Sequence, residues 1–231
     1  MANIGFRIFP NPNRPAKELV EQFRDVVTPH ISDNLNRLHA IAPGLRPYHK
    51  EGKLVGTAIT VKSRPGDNLM AHKAIDMAEP GDVIVVDAGG DLTNAIVGEI
   101  MMRLAQKKGI AGFVIDGAIR DTEAFKNDVF PVYARGVTHR GPYKDGPGEI
   151  NVPVSVGGMV VHPGDIIVGD DDGLAVVPAE QAEEVLRLVK EQQVKEEAIL
   201  ASIQDGTVDR RWVDELLKQK GCEFVGSSNK I

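Results

Sequence analysis

Several residue types that mark well-known functional classes are scarce in this chain of 231 residues. There is one cysteine, Cys222, with no CxxC pair or Cys/His cluster around it. An internal disulfide is therefore excluded, and the reducing cytoplasm is the expected compartment. No apolar run reaches the roughly 20 residues that a membrane-crossing helix needs. The longest uncharged stretch, Ile150–Gly164, is broken by Pro153, Pro163 and the pair Gly157-Gly158. Pro10, Pro12 and Pro15 interrupt the N-terminal segment, which lacks the apolar stretch of a signal peptide. Basic residues are outnumbered, 27 Lys and Arg against 33 Asp and Glu, for a formal charge of −6. No cationic excess exists to displace counterions from a phosphate backbone, so neither nucleic acid nor membrane is an expected partner. The GxSxG, P-loop and GxGxxG fingerprints are missing. His30, His39, His49, His72, His139 and His162 show no HxH or HxxxH pairing, which argues against a His-rich zinc site.

Hydrophobic residues at 42% and charged residues at 26% describe an ordinary globular chain, long enough for one domain with helical ends. Helices are predicted over 16–27 and 30–40, the second stopped by Pro43-Gly44. Alternating Val55, Thr57, Ile59 and Val61 predict a strand over 55–62. Helical spacing marks 68–77. The continuous apolar run 82–87 reads as a strand covered on both faces. Val97, Ile100, Met101 and Leu104 follow at i, i+3, i+4 and i+7, predicting a helix that Gly109 ends. With the strand 110–115 this makes a strand–helix–strand unit, which favours parallel pairing and a right-handed crossover. A short helix at 121–127 and a strand at 131–135 come next. Short β runs then follow at 152–156, 159–161, 165–168 and 174–177. Helices at 179–202 and 209–219 close the chain.

Two strand ends carry chemistry-bearing residues. In Asp87-Ala-Gly-Gly-Asp-Leu-Thr-Asn-Ala-Ile-Val-Gly-Glu-Ile-Met101 a buried strand stops at a glycine pair before a helix whose N-terminus can hold an anion. Gly98 there reads either as a place where a ligand approaches the backbone or as a tight helix–sheet contact. In Asp116-Gly-Ala-Ile-Arg-Asp121, Arg120 offers a charged fork for an enolate or carboxylate, and Asp121 offers hard oxygen ligation. The plainer alternative is an Asp helix cap beside a surface ion pair. Arg135 and Arg140 are candidates for a second anionic group. Asp170-Asp171-Asp172 reads as a solvated turn rather than a cation loop.

Four segments occur in order: Gly89–Glu99, Asp116–Asp121, Pro131–Gly136 and Pro163–Gly173. Over about residues 30–200 the chain resembles the family of 4-hydroxy-4-methyl-2-oxoglutarate aldolases. That family also holds 4-carboxy-4-hydroxy-2-oxoadipate aldolases and the proteins called regulator of ribonuclease activity A. The resemblance implies an α/β fold, an αββα sandwich of the swivelling β/β/α type with N-terminal and C-terminal helices. It implies one domain over 1–231 with a core at about 30–180, and helices 179–219 packing on a neighbouring subunit of a trimer or hexamer. It further implies a class II pyruvate aldolase that uses Mg²⁺ or Mn²⁺, acts on a small oxo acid and decarboxylates oxaloacetate as a side reaction. By the same resemblance Arg120 and Asp121 contact pyruvate and the metal. Gly98, Glu99, Ile100 and Met101 form the turn that binds the pyruvate carboxylate. Glu99, with Glu196 or Glu197 from an adjacent subunit, holds metal-bound water. One spacing departs from the aldolase pattern: the acid expected three residues after Asp121 is replaced by Ala124, with Glu123 one position early. The family's ribonuclease regulators give the alternative, a non-catalytic protein that binds and inhibits an RNA-degrading enzyme.

Overall fold

The computed structural model describes residues 3–223 and 225. They fall into two compact units, Met1–Val189 and Lys190–Ile231. The first unit opens with β1 (Phe6–Ile8), α1 (Lys17–Glu21), a 3-10 turn at Gln22–Asp25, α2 (Thr28–Asn34), β2 (Arg46–Pro47) and β3 (Leu54–Ser63). It continues through α3 (Leu69–Met77), β4 (Asp82–Asp87), β5 (Ala95–Val97), α4 (Glu99–Lys108), β6 (Gly112–Ile119), α5 (Thr122–Lys126) and β7 (Val132–Val137). Then come β8 (Gly148–Ile150), β9 (Val154–Val156), β10 (Met159–Val161), β11 (Ile166–Asp170), β12 (Gly173–Val177) and α6 (Ala182–Gln204). The second unit holds the end of α6 and α7 (Arg211–Gln219). No helix among the described residues is long and apolar enough to cross a membrane.

The main sheet runs β1-β8-β3-β4-β6-β7-β2, with β11 and β12 added beside β3 and β5 beside β6. Strands β3, β4, β6 and β7 are parallel, so the β4–α4–β6 crossover expected from the periodicity is present. The alternation within β4 explains its apolar run. Ile84 and Val86 face α3 and α4, packing with Ala71, Ala74, Met102 and Ala105. Val83 and Val85 face the other way, onto Val154, Val156 and Val161 of the antiparallel β9–β10 pair. A third cluster joins Phe23 and Ile31 to Val168 and Val177 of the β11–β12 hairpin and to Val185 of α6. The protein is a mixed α/β structure with helices on one face of its sheet and strands on part of the other.

Three expectations need correction. The helix predicted over 30–40 stops at Asn34, because Asn36 and Arg37 turn left-handed at φ 55° and 64°. Asn tolerates that region at modest cost, and Arg37 pairs there with Asp33 at 2.9 Å. Val97 belongs to β5, not to the following helix. Finally, α4 buries Met101, Met102 and Ala105, whereas Ile100 and Leu104 are 73% and 49% exposed. The helix begins at Glu99, and the face it packs inward runs through Met101, Met102 and Ala105.

In the second unit, Asp209 accepts a hydrogen bond from the Arg211 backbone at the start of α7, and the Arg211 guanidinium holds the Asp209 carboxyl below its usual range. Val194, Leu200, Ile203 and Trp212 are exposed there.

Candidate active site

The parallel strands β5 and β6 end side by side, Ala95 opposite Ala118 and Val97 opposite Ile119. Carboxyl ends of parallel strands gather the turns of an α/β sheet in one place. Gly98 follows β5 in extended conformation (φ −149°, ψ −169°) and caps α4. Arg120 and Asp121 follow β6. Asp121 is left-handed at φ 59°, a conformation that swings its carboxylate back toward α4. There Asp121 Oδ2 accepts the Glu99 N–H at 3.0 Å. The Arg120 Nε stands 3.7 Å from the same oxygen. A Cβ on Gly98 would collide with Asp121 Oδ2 and come within 3.0 Å of Arg120 Cγ. Glycine is needed here for space rather than for backbone freedom, since its φ suits any residue.

These groups border a cleft of about 150 Å³. Gly98, Ile100 and Met101 line it, and Ile100 and Met101 open α4 with N–H groups that have no intrahelical acceptor. Arg120 and Asp121 are each about 40% exposed. Asn68 and His72 of the α3 region, with Pro142 and Lys144 of the loop before β8, complete its lining. Asn68 is 97% buried; its Nδ2 donates to Ile96 O at 2.9 Å, and its Oδ1 has no hydrogen-bond partner among the described residues. Burial and the nearby Lys144 ammonium hold the His72 imidazole below its usual value, against an opposing pull from Asp76. A neutral His72 at pH 7 follows.

The structure thus brings Gly98, Ile100, Met101, Arg120 and Asp121 together. Glu99 donates its backbone N–H to Asp121, but its carboxylate lies outside the cleft lining and pairs with Arg103 at 3.3 Å. Glu196 and Glu197 lie on α6 in the second unit, where Glu196 accepts a bond from Gln192 at 2.8 Å. Arg135 is bound to Asp116 and is not part of the cleft. Arg140, exposed, is also absent from its lining. Asp170 ends β11 half-buried and caps α2, accepting from Thr28 N and Oγ1 at 2.8 and 2.7 Å, so the solvated turn expected over 170–172 is made by Asp171 and Asp172 alone. Asn68, His72 and Lys144 were missed by the sequence. Asn68 and His72 belong to the start of α3 and Lys144 to the loop before β8, and only the pairing of those two segments brings all three to the cleft.

Hard oxygen donors are sparse. No group of three or more His, Cys, Asp and Glu side chains comes together among the described residues. Asp121 alone offers a carboxylate at the cleft mouth, with Oδ2 toward Glu99 and no hydrogen bond on Oδ1. That donor set suits Mg²⁺ or Mn²⁺, which keep several waters and accept one or two carboxylates plus a chelating substrate.

Residues 28–176 match the family model described as "RraA-like: Aldolase/RraA". A protein of Halalkalibacterium halodurans named "Putative 4-hydroxy-4-methyl-2-oxoglutarate aldolase" is 46% identical over 191 residues, 83% of this chain and 91% of that one. A Thermus thermophilus protein named 4-hydroxy-4-methyl-2-oxoglutarate aldolase is 39% identical over 112 residues, 48% of this chain and 68% of the relative. Among solved structures, Streptomyces coelicolor RraAS2, titled an unusual member of the RNase ES inhibitor RraA protein family, superposes with a TM-score of 0.74. It is 30% identical, over 80% of this chain and 97% of that one. A parallel sheet ending in a glycine turn with an Arg-Asp pair, and a matching stretch of 28–176, lead to one conclusion: the chain belongs to the RraA-like family.

Proposed function

We propose that this protein is a divalent-metal-dependent pyruvate aldolase acting on 4-hydroxy-2-oxo acids. Its substrates would be 4-hydroxy-4-methyl-2-oxoglutarate, 4-carboxy-4-hydroxy-2-oxoadipate or both. The observation that carries this reading is the convergence of Arg120 and Asp121 on Gly98 at the mouth of the cleft, over the N-terminus of α4. The aldolase-named relatives support it.

In this reading the Ile100 and Met101 N–H groups and the dipole of α4 receive the substrate's 1-carboxylate. Arg120 faces the 2-oxo oxygen, where negative charge grows as the C3–C4 bond breaks. A preorganised donor at such a point is worth about 3–4 kcal/mol. Lys144 supplies a second cation for the distal carboxylate. Asp121 would hold Mg²⁺ or Mn²⁺, which supplies Lewis-acid stabilisation of the developing enolate. The hydroxyl proton leaves as the new carbonyl forms, and the pyruvate fragment takes a proton at C3. Glu99, once its carboxylate leaves Arg103, and Glu196 or Glu197 of a neighbouring copy would complete the acidic groups around those proton transfers. Ile100, exposed on the cleft rim with Leu104 on the same helix, suits a trimer or a dimer of trimers in which another copy covers this face. Oxaloacetate, which passes through the same enolate, would be decarboxylated.

The test is pyruvate release from both hydroxy-oxo acids and from oxaloacetate, with Mg²⁺ and after EDTA. Metal-dependent release supports the aldolase. Absence of release from all three, together with capture of an RNA-degrading enzyme, would instead support a ribonuclease regulator, a reading the RraAS2 likeness favours.

A further inference from the structure

We infer that Asp67 is a positioning residue that joins two segments of the cleft's lining, the start of α3 and the loop of Lys144, and thereby sets where Lys144 stands in the cleft. The inference rests on the aldolase reading and goes beyond it by assigning a residue outside the cleft to the recognition of the substrate's distal end.

Asp67 is fully buried. Its Oδ1 accepts the Leu69 N–H at 2.9 Å, at the first turn of α3. Its Oδ2 accepts the N–H groups of Asp145 at 2.7 Å and Gly146 at 2.9 Å. One carboxylate therefore ties the start of the helix that carries His72 to the two residues just after Lys144. The backbone reinforces the tie on the other side of Lys144: Tyr143 N donates to Gly66 O at 2.8 Å, and Asn68 N donates to Tyr143 O at 3.0 Å. Lys144 itself is exposed and lines the cleft, yet both flanking residues are fixed.

No cation pairs with Asp67 among the described residues. A buried carboxylate without a counter-ion is costly unless hydrogen bonds replace its hydration. Three backbone donors do so here, and they come from two separate segments. Only an acceptor-only group can serve all three, because an amide would turn a donor against one of them. An ordinary turn cap needs one acceptor; the second oxygen is explained by the loop that bears Lys144. The far end of that loop is closed independently. The Phe6 ring lies about 3 Å from where a Gly146 Cβ would be, and Arg7 pairs with Glu149 at 2.5 Å.

The experiment compares two reactions of the intact protein with Mg²⁺: cleavage of the hydroxy-oxo diacid, and deuterium exchange at the methyl group of pyruvate. Exchange uses the Arg120 side of the cleft, whereas cleavage also needs the distal carboxylate held. Asp67→Asn is expected to lower kcat/KM for cleavage about tenfold more than it lowers exchange, mainly through KM. Lys144→Met should give the same split, and the double variant should lose little more than either single one. Equal losses in both reactions for Asp67→Asn would reduce the residue to a structural role and overturn the inference. Should that variant not fold, amide hydrogen exchange of the wild-type protein decides. Asp145 and Gly146 amides protected relative to Lys144 support the tie, and amides exchanging as fast as Lys144 overturn it. A wild-type protein inactive in both reactions would overturn the aldolase reading itself, a result distinct from active wild type with no split.

Discussion

One Arg–Asp pair joins the interiors of β6 and β7 and another stands just past the end of β6, and they are built differently. Arg135 Nε meets Asp116 Oδ1 at 2.5 Å, and Asp116 Oδ2 accepts the Gly157 N–H at 2.8 Å. The Asp116 carbonyl also receives the Gly90 N–H at 3.0 Å. Asp116 is buried, and Arg135 lies close over Gly44 and Gly90. That pair joins three loops and leaves little for a ligand. Arg120 and Asp121 remain 3.7 Å apart, about 40% exposed, with one oxygen of Asp121 on a helix N–H. A satisfied pair is a structural joint. A loosely held pair beside a cleft keeps its charges for something else.

Cutting each pair should separate the two roles. Arg120→Ala or Asp121→Ala is expected to lower metal-dependent pyruvate release from oxaloacetate by about 100-fold or more, with the melting temperature nearly unchanged. A coupled pyruvate assay and a thermal melt check this, and unchanged release in both variants would reject the site. Gly98→Ala should act on the same pair without touching a charge. Its new methyl group displaces Asp121 Oδ2, and activity is expected to fall roughly 10-fold or more while the extended backbone at 98 accepts alanine. Arg135→Ala should do the reverse, leaving Asp116 buried and short of a partner. A loss of about 2–3 kcal/mol is expected, or a melting temperature lower by roughly 4–12 °C, read by calorimetry.

The smallest effect concerns pH. His72 in the folded protein binds its proton less readily than in the unfolded chain, first through burial and then through Lys144. The unfolded state therefore takes up more protons on acidification. Stability from this site is complete above pH 6.5 and declines as pH falls through and below that value. His72→Gln should flatten that part of the stability profile. Lys144→Met should move the His72 titration upward, visible in the imidazole NMR shifts.

Much of the parallel core was legible because strand and helix periods differ. The 82–87 run, the Gly109 stop and the crossover to β6 all follow from local pattern. The Arg-Asp pair and Gly98 were legible as candidates, although the plainer readings of each could not be removed from the residues alone. Helix α4 misled, since Val97, Ile100 and Leu104 mimic a buried stripe while the strand claims Val97 and leaves the other two outside. The short strands β1, β2 and β8 carry too few residues for any period to show.

Composition and hydrophobic order alone determined an α/β chain with a strand–helix–strand unit and a glycine turn before a helix, because burying apolar side chains imposes those periods locally. Which carboxylates are used up and which stay available was decided only in three dimensions. Asp116 and Asp67 find their N–H donors in segments about 41 and 78–79 residues away, and no local pattern records such meetings. The same long-range pairing brings Asn68, His72 and Lys144 into the lining of one small cleft with Arg120.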